Sequence, residues 1–150
     1  MNISDAVKKK MEDQGIKKEE ILSIINSAEK SNHKLYFKDN SKYLAKSEFE
    51  NLTMYVEYNE NEIINVYSHK MNIVGITGDI KEPVNFDDST EWNCFYCKKP
   101  VVFRNIDLQY YGITKPGPGI VCTSCLDTYI SEGISKTIKK AEDTIEEKRG

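Results

Sequence analysis

The chain has 150 residues, enough for one domain or two small ones, with 39% hydrophobic and 30% charged residues as in ordinary globular proteins. Its apolar runs are too short to span a membrane. The net charge is −3 and neither half is basic, so net charge gives no support for nucleic-acid binding, although a local basic patch is left open. No signal-peptide pattern occurs, so we expect a cytoplasmic protein with reduced cysteines.

The N-terminal part predicts two amphipathic helices, because apolar residues recur three or four positions apart. The first helix covers 4–14, with Ser4 or Asp5 as its cap and Gly15 as its stop. The second covers 18–30.

From residue 33 the pattern alternates with a period of two, which predicts antiparallel strands. The strands of this meander are expected at 34–38, 42–47, 52–58 and 63–69, with 71–76 as an extension of the last. Two helices packed on such a meander form an α+β unit.

Met11–Ile21, followed by the meander, resembles small bacterial domains related to the RelE and BrnT toxins, many of which have no known function. The resemblance covers 5–75 and implies the α+β fold, but it brings no mechanism. Lys17 stands where that family often has a capping Ser or Thr.

Two histidines are the candidates for acid–base chemistry. RelE-like ribonucleases use such side chains on this sheet, which makes His69 a candidate. We favour His69 as a surface or hydrogen-bonded residue and His33 as a loop residue. Cleavage of RNA calls for cations at the phosphate, yet no arginine precedes Arg104. We therefore expect no catalytic residue.

All four cysteines fall in two C-x-x-C pairs separated by 24 residues: Cys94 and Cys97, then Cys122 and Cys125. Two such pairs complete one tetrahedral site, so we predict a zinc ion bound by four thiolates. Iron, as in rubredoxin, uses the same geometry and stays an alternative. A thioredoxin-like redox pair or two disulfides suit this spacing and a reducing compartment less well. No histidine lies near the pairs, so no open catalytic position is expected.

Gly117–Asp127, with Cys94–Cys97 as the first pair, resembles the zinc-binding domain at the amino end of the ClpX unfoldase over 92–135. This resemblance implies the four cysteines as ligands, a dimer that binds adaptors or substrates, and no catalysis. Lys98 stands where that family usually has Gly, and no Walker A motif occurs in the chain. A weaker resemblance is to the YgiT-type zinc finger of MqsA-like antitoxins.

Strands are predicted at 100–104 and 107–111, and Pro116–Gly119 is interpreted as a turn. A final amphipathic helix covers 131–149. Its apolar stripe consists of Ile134, Ile138, Ala141 and Ile145. This stripe could pack on the zinc module or the N-terminal module of the same chain. Because a small zinc module offers little apolar surface, our hypothesis is that the distal part, around Ala141 and Ile145, docks on a partner protein or a second copy of the chain.

The predicted organisation is an α+β module, a linker, a four-cysteine zinc module and a C-terminal helix. Their ranges are 1–80, 81–91, 92–130 and 131–150. We expect a non-catalytic zinc-binding accessory or protein-interaction factor, related by descent to toxin–antitoxin modules. The alternatives are a RelE-like ribonuclease toxin fused to a zinc finger and a rubredoxin-like electron carrier.

Overall fold

The computed structural model of the chain describes residues 1–49, 52–76 and 89–149, which form three helices and ten strands. In chain order these elements are β1 (Asn2–Ile3), α1 (Asp5–Gln14), α2 (Lys18–Ser31), β2 (Leu35–Phe37), β3 (Tyr43–Phe49), β4 (Leu52–Tyr58), β5 (Glu62–His69), β6 (Asn72–Ile76), β7 (Ser89–Cys94), β8 (Lys99–Tyr110), β9 (Ile113–Cys122), β10 (Thr128–Tyr129) and α3 (Glu132–Arg149). No helix in these ranges is long and apolar enough to cross a membrane.

The strands form one sheet in the order β1-β5-β4-β3-β2-β7-β8-β9-β10, and β6 pairs with β8 outside this path. The β1–β5 pair is parallel, whereas the other neighbours are antiparallel. The fold is therefore mixed α/β, with three helices and a large sheet.

The first two helices begin and end where local chemistry favours it. Ser4 Oγ accepts a backbone N–H from the first turn of α1, and Gly15, at φ +67°, ends that helix. At the start of α2 the ammonium of Lys17 cannot accept a hydrogen bond. The N–H of Lys17 donates instead to Glu20 Oε1 at 2.9 Å, which is one half of a capping box.

Both faces of the sheet carry a buried core, because side chains alternate along each strand. In β4, Met54, Val56 and Tyr58 belong to the core beneath α1 and α2, while Tyr55 belongs to the core beneath α3. The α1/α2 core consists of Val7, Met11, Ile16, Ile21, Ile24, Ile25, Ala28, Ala45, Met54, Val56, Tyr58, Ile63 and Val66. The α3 core consists of Leu35, Leu44, Tyr55, Tyr67, Met71, Cys94, Val101, Ile106, Leu108, Ile120, Val121, Cys122, Tyr129, Ile130, Ile138 and Ile145.

The apolar stripe of α3 is covered by the chain itself. Ile138 and Ile145 keep 4% and 2% of their surface exposed, and Ile134 and Ala141 pack against the same core. The stripe therefore gives no reason for a partner to cover it, and association through this helix stays a prediction. Glu142 of the same helix is also buried, although it carries a charge.

The parts on either side of the predicted linker share the sheet. Leu35 of β2 pairs with Cys94 of β7, and β6 pairs with β8 instead of extending β5. Ser89–Glu91, predicted as linker, belong to β7. Residues 77–88, which hold most of that linker, lie outside the described residues, so the division into domains stays a prediction.

The hairpin of β8 and β9 corrects the predicted turn at Pro116–Gly119. Pro116–Gly119 lie within β9 and pair with residues 104–107 of β8. The strands predicted at 100–104 and 107–111 are therefore one continuous strand, β8. Proline fits here because the outer edge of β9 is paired only at residues 120 and 121. Glycine fits because a Cβ at Gly119 would lie 2.8 Å from Ile106 Cδ1.

We predict that Gly119→Ala lowers the free energy of unfolding by about 1–3 kcal/mol, because the added methyl group displaces the buried Ile106. Gly117→Ala, whose Cβ would lie 3.1 Å from Leu108 Cδ1, should cost less. Gly133→Ala in α3 is the matched control. Its Cβ would meet no atom within 4 Å, so stability should stay equal or rise by up to about 1 kcal/mol. Urea unfolding followed by circular dichroism measures all three, and equal stabilities for the first and third variants would contradict the prediction.

Candidate metal centre

The four cysteines converge on one point of the structure. Their Sγ atoms all lie within 4.8 Å of one another, and Cys94 Sγ is 3.9 Å from Cys125 Sγ. All four are free thiols rather than disulfides. A tetrahedral ion with metal–sulfur bonds of about 2.3 Å holds its sulfurs about 3.8 Å apart. The cluster therefore has the spacing needed to hold a metal ion.

Each pair of cysteines forms a turn of the same construction, here called the first knuckle (Cys94–Cys97) and the second knuckle (Cys122–Cys125). The first cysteine ends a strand, and its carbonyl accepts an N–H from the residue four positions on, at 2.8 Å from Lys98 and 3.1 Å from Leu126. These two residues have φ angles of +56° and +64°, a conformation that favours glycine. In each knuckle this left-handed residue closes the turn directly after the second cysteine.

Backbone amides stabilise the thiolate form of Cys122. Burial raises the pKa of this thiol, but hydrogen bonds from the backbone N–H groups of Cys125 and Ser124 and from the thiols of Cys125 and Cys94 together lower it, so the pKa is lowered overall. The N–H of Ser124 lies 3.4 Å from Cys122 Sγ. Because metals bind the thiolate, these donors favour a cation at Cys122, whereas burial raises the pKa of Cys125 in the same knuckle to about 12.

The cluster is closed as a coordination site. Cys94 and Cys122 are buried, Cys97 is half-buried and Cys125 is exposed, so one side of the cluster meets solvent. Four sulfurs nevertheless fill the tetrahedron, which leaves no position for a metal-bound water or substrate. This arrangement is typical of a structural metal centre rather than a catalytic one.

Side chains and backbone from the N-terminal part hold both knuckles. The N–H of Phe95 donates to the carbonyl of Lys34 at 2.9 Å. Beyond the second knuckle, Lys46 Nζ donates to the carbonyl of Thr128 and lies 3.3 Å from Asp127 Oδ1. The knuckles are thus fixed relative to each other through β2 and β3 as well as through β8 and β9.

His69 lies fully buried at the end of β5, not at the surface. Both ring nitrogens are engaged: Nδ1 is 2.8 Å from the Met71 carbonyl, so it carries the proton and donates, and Nε2 accepts from Tyr55 Oη at 2.9 Å. Burial lowers the pKa of His69 to about 4. A buried, neutral and doubly bonded imidazole is a structural residue, as the hydrogen-bonded interpretation expected.

Two residues that matter for this arrangement were missed in the sequence. Glu142 Oε2 accepts the N–H groups of Lys70 and Met71 at 2.6 and 2.8 Å, which fixes the turn between β5 and β6. Glu142 lies four residues after Ile138, so the helical spacing places it beside the apolar stripe, and this position could have indicated its burial. Lys46 carries no such signal, because its contacts lie about eighty residues away.

A family model described as a domain of unknown function (DUF7479) matches residues 90–148. The match includes both knuckles and all of α3 except Arg149, and it covers less than half of the chain. No curated protein and no solved structure matches the chain.

We predict one tightly bound metal ion per chain, and its loss in Cys122→Ser, because three thiolates bind far more weakly than four. Elemental analysis after purification without chelator measures the content, and thermal unfolding measures the accompanying loss of stability. Thr123→Ser, an exposed neighbour within the same knuckle, is the matched control and should keep the metal. Wild-type protein without stoichiometric metal would contradict the prediction.

We also predict a pH dependence from His69. Its folded-state pKa of about 4 lies below the ordinary value of 6.5, so between these values the unfolded chain binds a proton that the folded chain does not. The free energy of unfolding should therefore fall by up to about 3 kcal/mol as the pH is lowered from about 6.5 to about 4.

Urea unfolding across that range tests this, with His69→Gln, which keeps a donor and an acceptor but does not titrate. As the pH is lowered, the free energy of unfolding of His69→Gln should fall less than that of wild type. Acid release of a bound metal would lower it equally in both proteins. His33→Gln, at the exposed second histidine, is the matched control. Identical profiles for wild type and His69→Gln would show that the buried imidazole does not control stability.

Proposed function

We propose that the chain is a non-catalytic zinc-binding accessory factor that acts through interaction with a protein partner. The observation that carries this proposal is the closed cluster of four cysteine sulfurs, all within 4.8 Å of one another. A site filled by four thiolates can organise a surface, but it has no free position for chemistry. Zinc is the ion that such closed four-thiolate sites most often hold.

The proposed partner surface lies beside the second knuckle. Leu126 keeps 53% of its surface exposed, although its φ of +64° is costly for a branched side chain. Leu126 lines a pocket together with the apolar Ile76, Val102 and Val121 and the polar Arg104 and Thr123. An exposed apolar residue held in a strained backbone conformation is a common feature of binding sites.

The resemblances found in the sequence belong to this proposal. A ClpX-like zinc-binding domain would account for adaptor or substrate binding by the C-terminal part, and RelE/BrnT-like ancestry for the N-terminal part. Reduced thiols at the cluster suit the reducing cytoplasm, which we propose as the compartment. The ribonuclease alternative loses its main candidate residue, because His69 is buried and both its nitrogens are engaged.

A rubredoxin-like electron carrier is the second candidate, and one observation favours it. Cys125 is exposed, so an iron ion bound here would lie close to the surface, where electrons can enter. Ferric iron bound by four thiolates is red, whereas zinc is colourless, so the absorption spectrum of freshly purified protein separates the two.

We predict that Leu126→Asn keeps the metal but loses the protein partner, because asparagine tolerates a positive φ and removes the apolar side chain. The measurement is affinity capture from the native host with mass spectrometry, using wild type, Leu126→Asn and Leu22→Asn. Leu22, exposed on α2 away from the knuckles, is the matched control. Proteins that the Leu126→Asn variant captures as well as wild type does would place the partner surface elsewhere.

A further inference from the structure

Aromatic and cationic side chains gather around the first knuckle into a surface that we call the knuckle platform. It consists of His33, Tyr36, Phe95, Tyr96 and Lys98. The rings of His33 and Tyr96 stack with centroids 4.4 Å apart and planes 13° apart. Lys98 Nζ lies 3.4 Å from the ring centroid of Phe95 and 5.7 Å from that of Tyr36. Three kinds of planar ring and one cation therefore share a single surface.

Both parts of the chain are needed to build the platform. Within the first knuckle, Tyr96 is exposed and Phe95 is half-buried. His33 comes from the loop between α2 and β2. The hydrogen bond from the Phe95 N–H to the carbonyl of Lys34 brings that loop alongside the knuckle. The platform is therefore a preorganised composite rather than a mobile loop tip.

Exposure shows that the platform is more than core packing. Tyr96 keeps 57% of its surface exposed, and His33 and Lys98 are exposed as well. Phe95 and Tyr36 are half-buried, contact each other edge to face at 6.1 Å, and both lie beneath the ammonium of Lys98. A stacked pair of exposed rings leaves its outer faces free to continue the stack with a further planar group.

We propose that the knuckle platform binds single-stranded nucleic acid, with bases stacked on Tyr96 and His33 and a backbone phosphate near Lys98. Unstacked bases are the planar groups that exposed aromatic side chains recognise, and a nearby cation accommodates the phosphate. This activity goes beyond the proposed protein interaction and uses the other knuckle.

The charges around the platform predict which kind of nucleic acid binds. Lys98 is exposed, whereas Lys34 is paired with Glu29, and a divalent ion with four thiolates adds two negative charges. Duplex binding depends on many phosphate contacts, which this surface does not supply. Stacking therefore dominates, and duplexes, whose bases are already stacked, should bind poorly.

The test is fluorescence anisotropy with the full, metal-loaded chain and labelled mixed-sequence DNA and RNA strands of about twelve nucleotides, alongside the matching duplexes. Wild type should bind the single strands and not the duplexes. Tyr96→Ala should weaken binding by about fivefold or more, the effect of losing one stacked base, and Tyr96→Phe should retain it. Lys98→Ala should remove about one phosphate contact and so make the affinity less dependent on salt. When the salt rises from about 50 to about 200 mM, the affinity of the variant should fall by a factor about two to three times smaller than that of wild type.

Tyr111→Ala is the matched control, because Tyr111 is a similarly exposed tyrosine at the far end of the β8–β9 hairpin. It should bind as wild type does. Metal content and melting temperature are measured for every variant. His33→Ala removes the stack without touching the knuckle and replaces Tyr96→Ala if that variant loses metal.

Absence of saturable single-strand binding by wild type would overturn the proposal. Equal weakening by Tyr96→Ala and Tyr111→Ala would also overturn it, since binding would then be independent of the platform. A protein partner lost in Tyr96→Ala, with no oligonucleotide bound by wild type, would assign the surface to protein recognition instead.

Discussion

The pairing of β2 with β7 is the contact on which the rest of the structure depends. Cys94 is both the strand neighbour of Leu35 and one of the four clustered cysteines. A slip of one residue in this register would turn the Cys94 side chain to the other face of the sheet and leave the cluster with three sulfurs. Strand register and metal geometry are therefore one constraint.

The free energy of metal binding can be compared with that of the hydrogen bonds between β2 and β7. The β2–β7 register covers three residues on each strand, and each of its hydrogen bonds contributes about 1 kcal/mol. A structural zinc ion contributes about 10–16 kcal/mol of apparent free energy in isolated zinc fingers, as much as the whole stability of a typical domain. An ion bound here would therefore hold the register more firmly than the strands themselves do.

The docking of α3 depends mainly on its buried side. Full burial of Ile138 and Ile145 is worth about 1.5–3 kcal/mol each. Glu142 adds two charge-assisted hydrogen bonds to the turn after β5, although its burial raises the pKa of this carboxyl. The partly exposed Lys10–Glu132 ion pair is worth at most about 1 kcal/mol. Packing holds the helix, and Glu142 sets its position along the sheet.

Short-range patterns made the helices, the N-terminal strands and the two knuckles predictable. The signals used were local in sequence: the helix caps at Ser4 and Gly15 and the C-x-x-C spacing each involve residues only a few positions apart. The path of β9 could not be predicted, because proline and glycine normally indicate a turn. The prolines are tolerated in this strand because its outer edge is largely unpaired, and Gly119 is needed because the side chain of Ile106 lies against it. The environment of His69 was not predictable either, because its partner Tyr55 lies fourteen residues away and the pocket beside it is also lined by Lys139 and Glu142, about seventy residues later.

The two knuckles differ in how they offset the same strain. A left-handed conformation costs a non-glycine residue about 1–2 kcal/mol. At Lys98 the ammonium over the Phe95 ring returns about 0.5–1 kcal/mol, so the strain is partly offset within the platform. At Leu126 the side chain is exposed and gains little from burial. The strain at Leu126 is therefore not offset by packing within the chain, which supports the proposal of an apolar partner at the second knuckle.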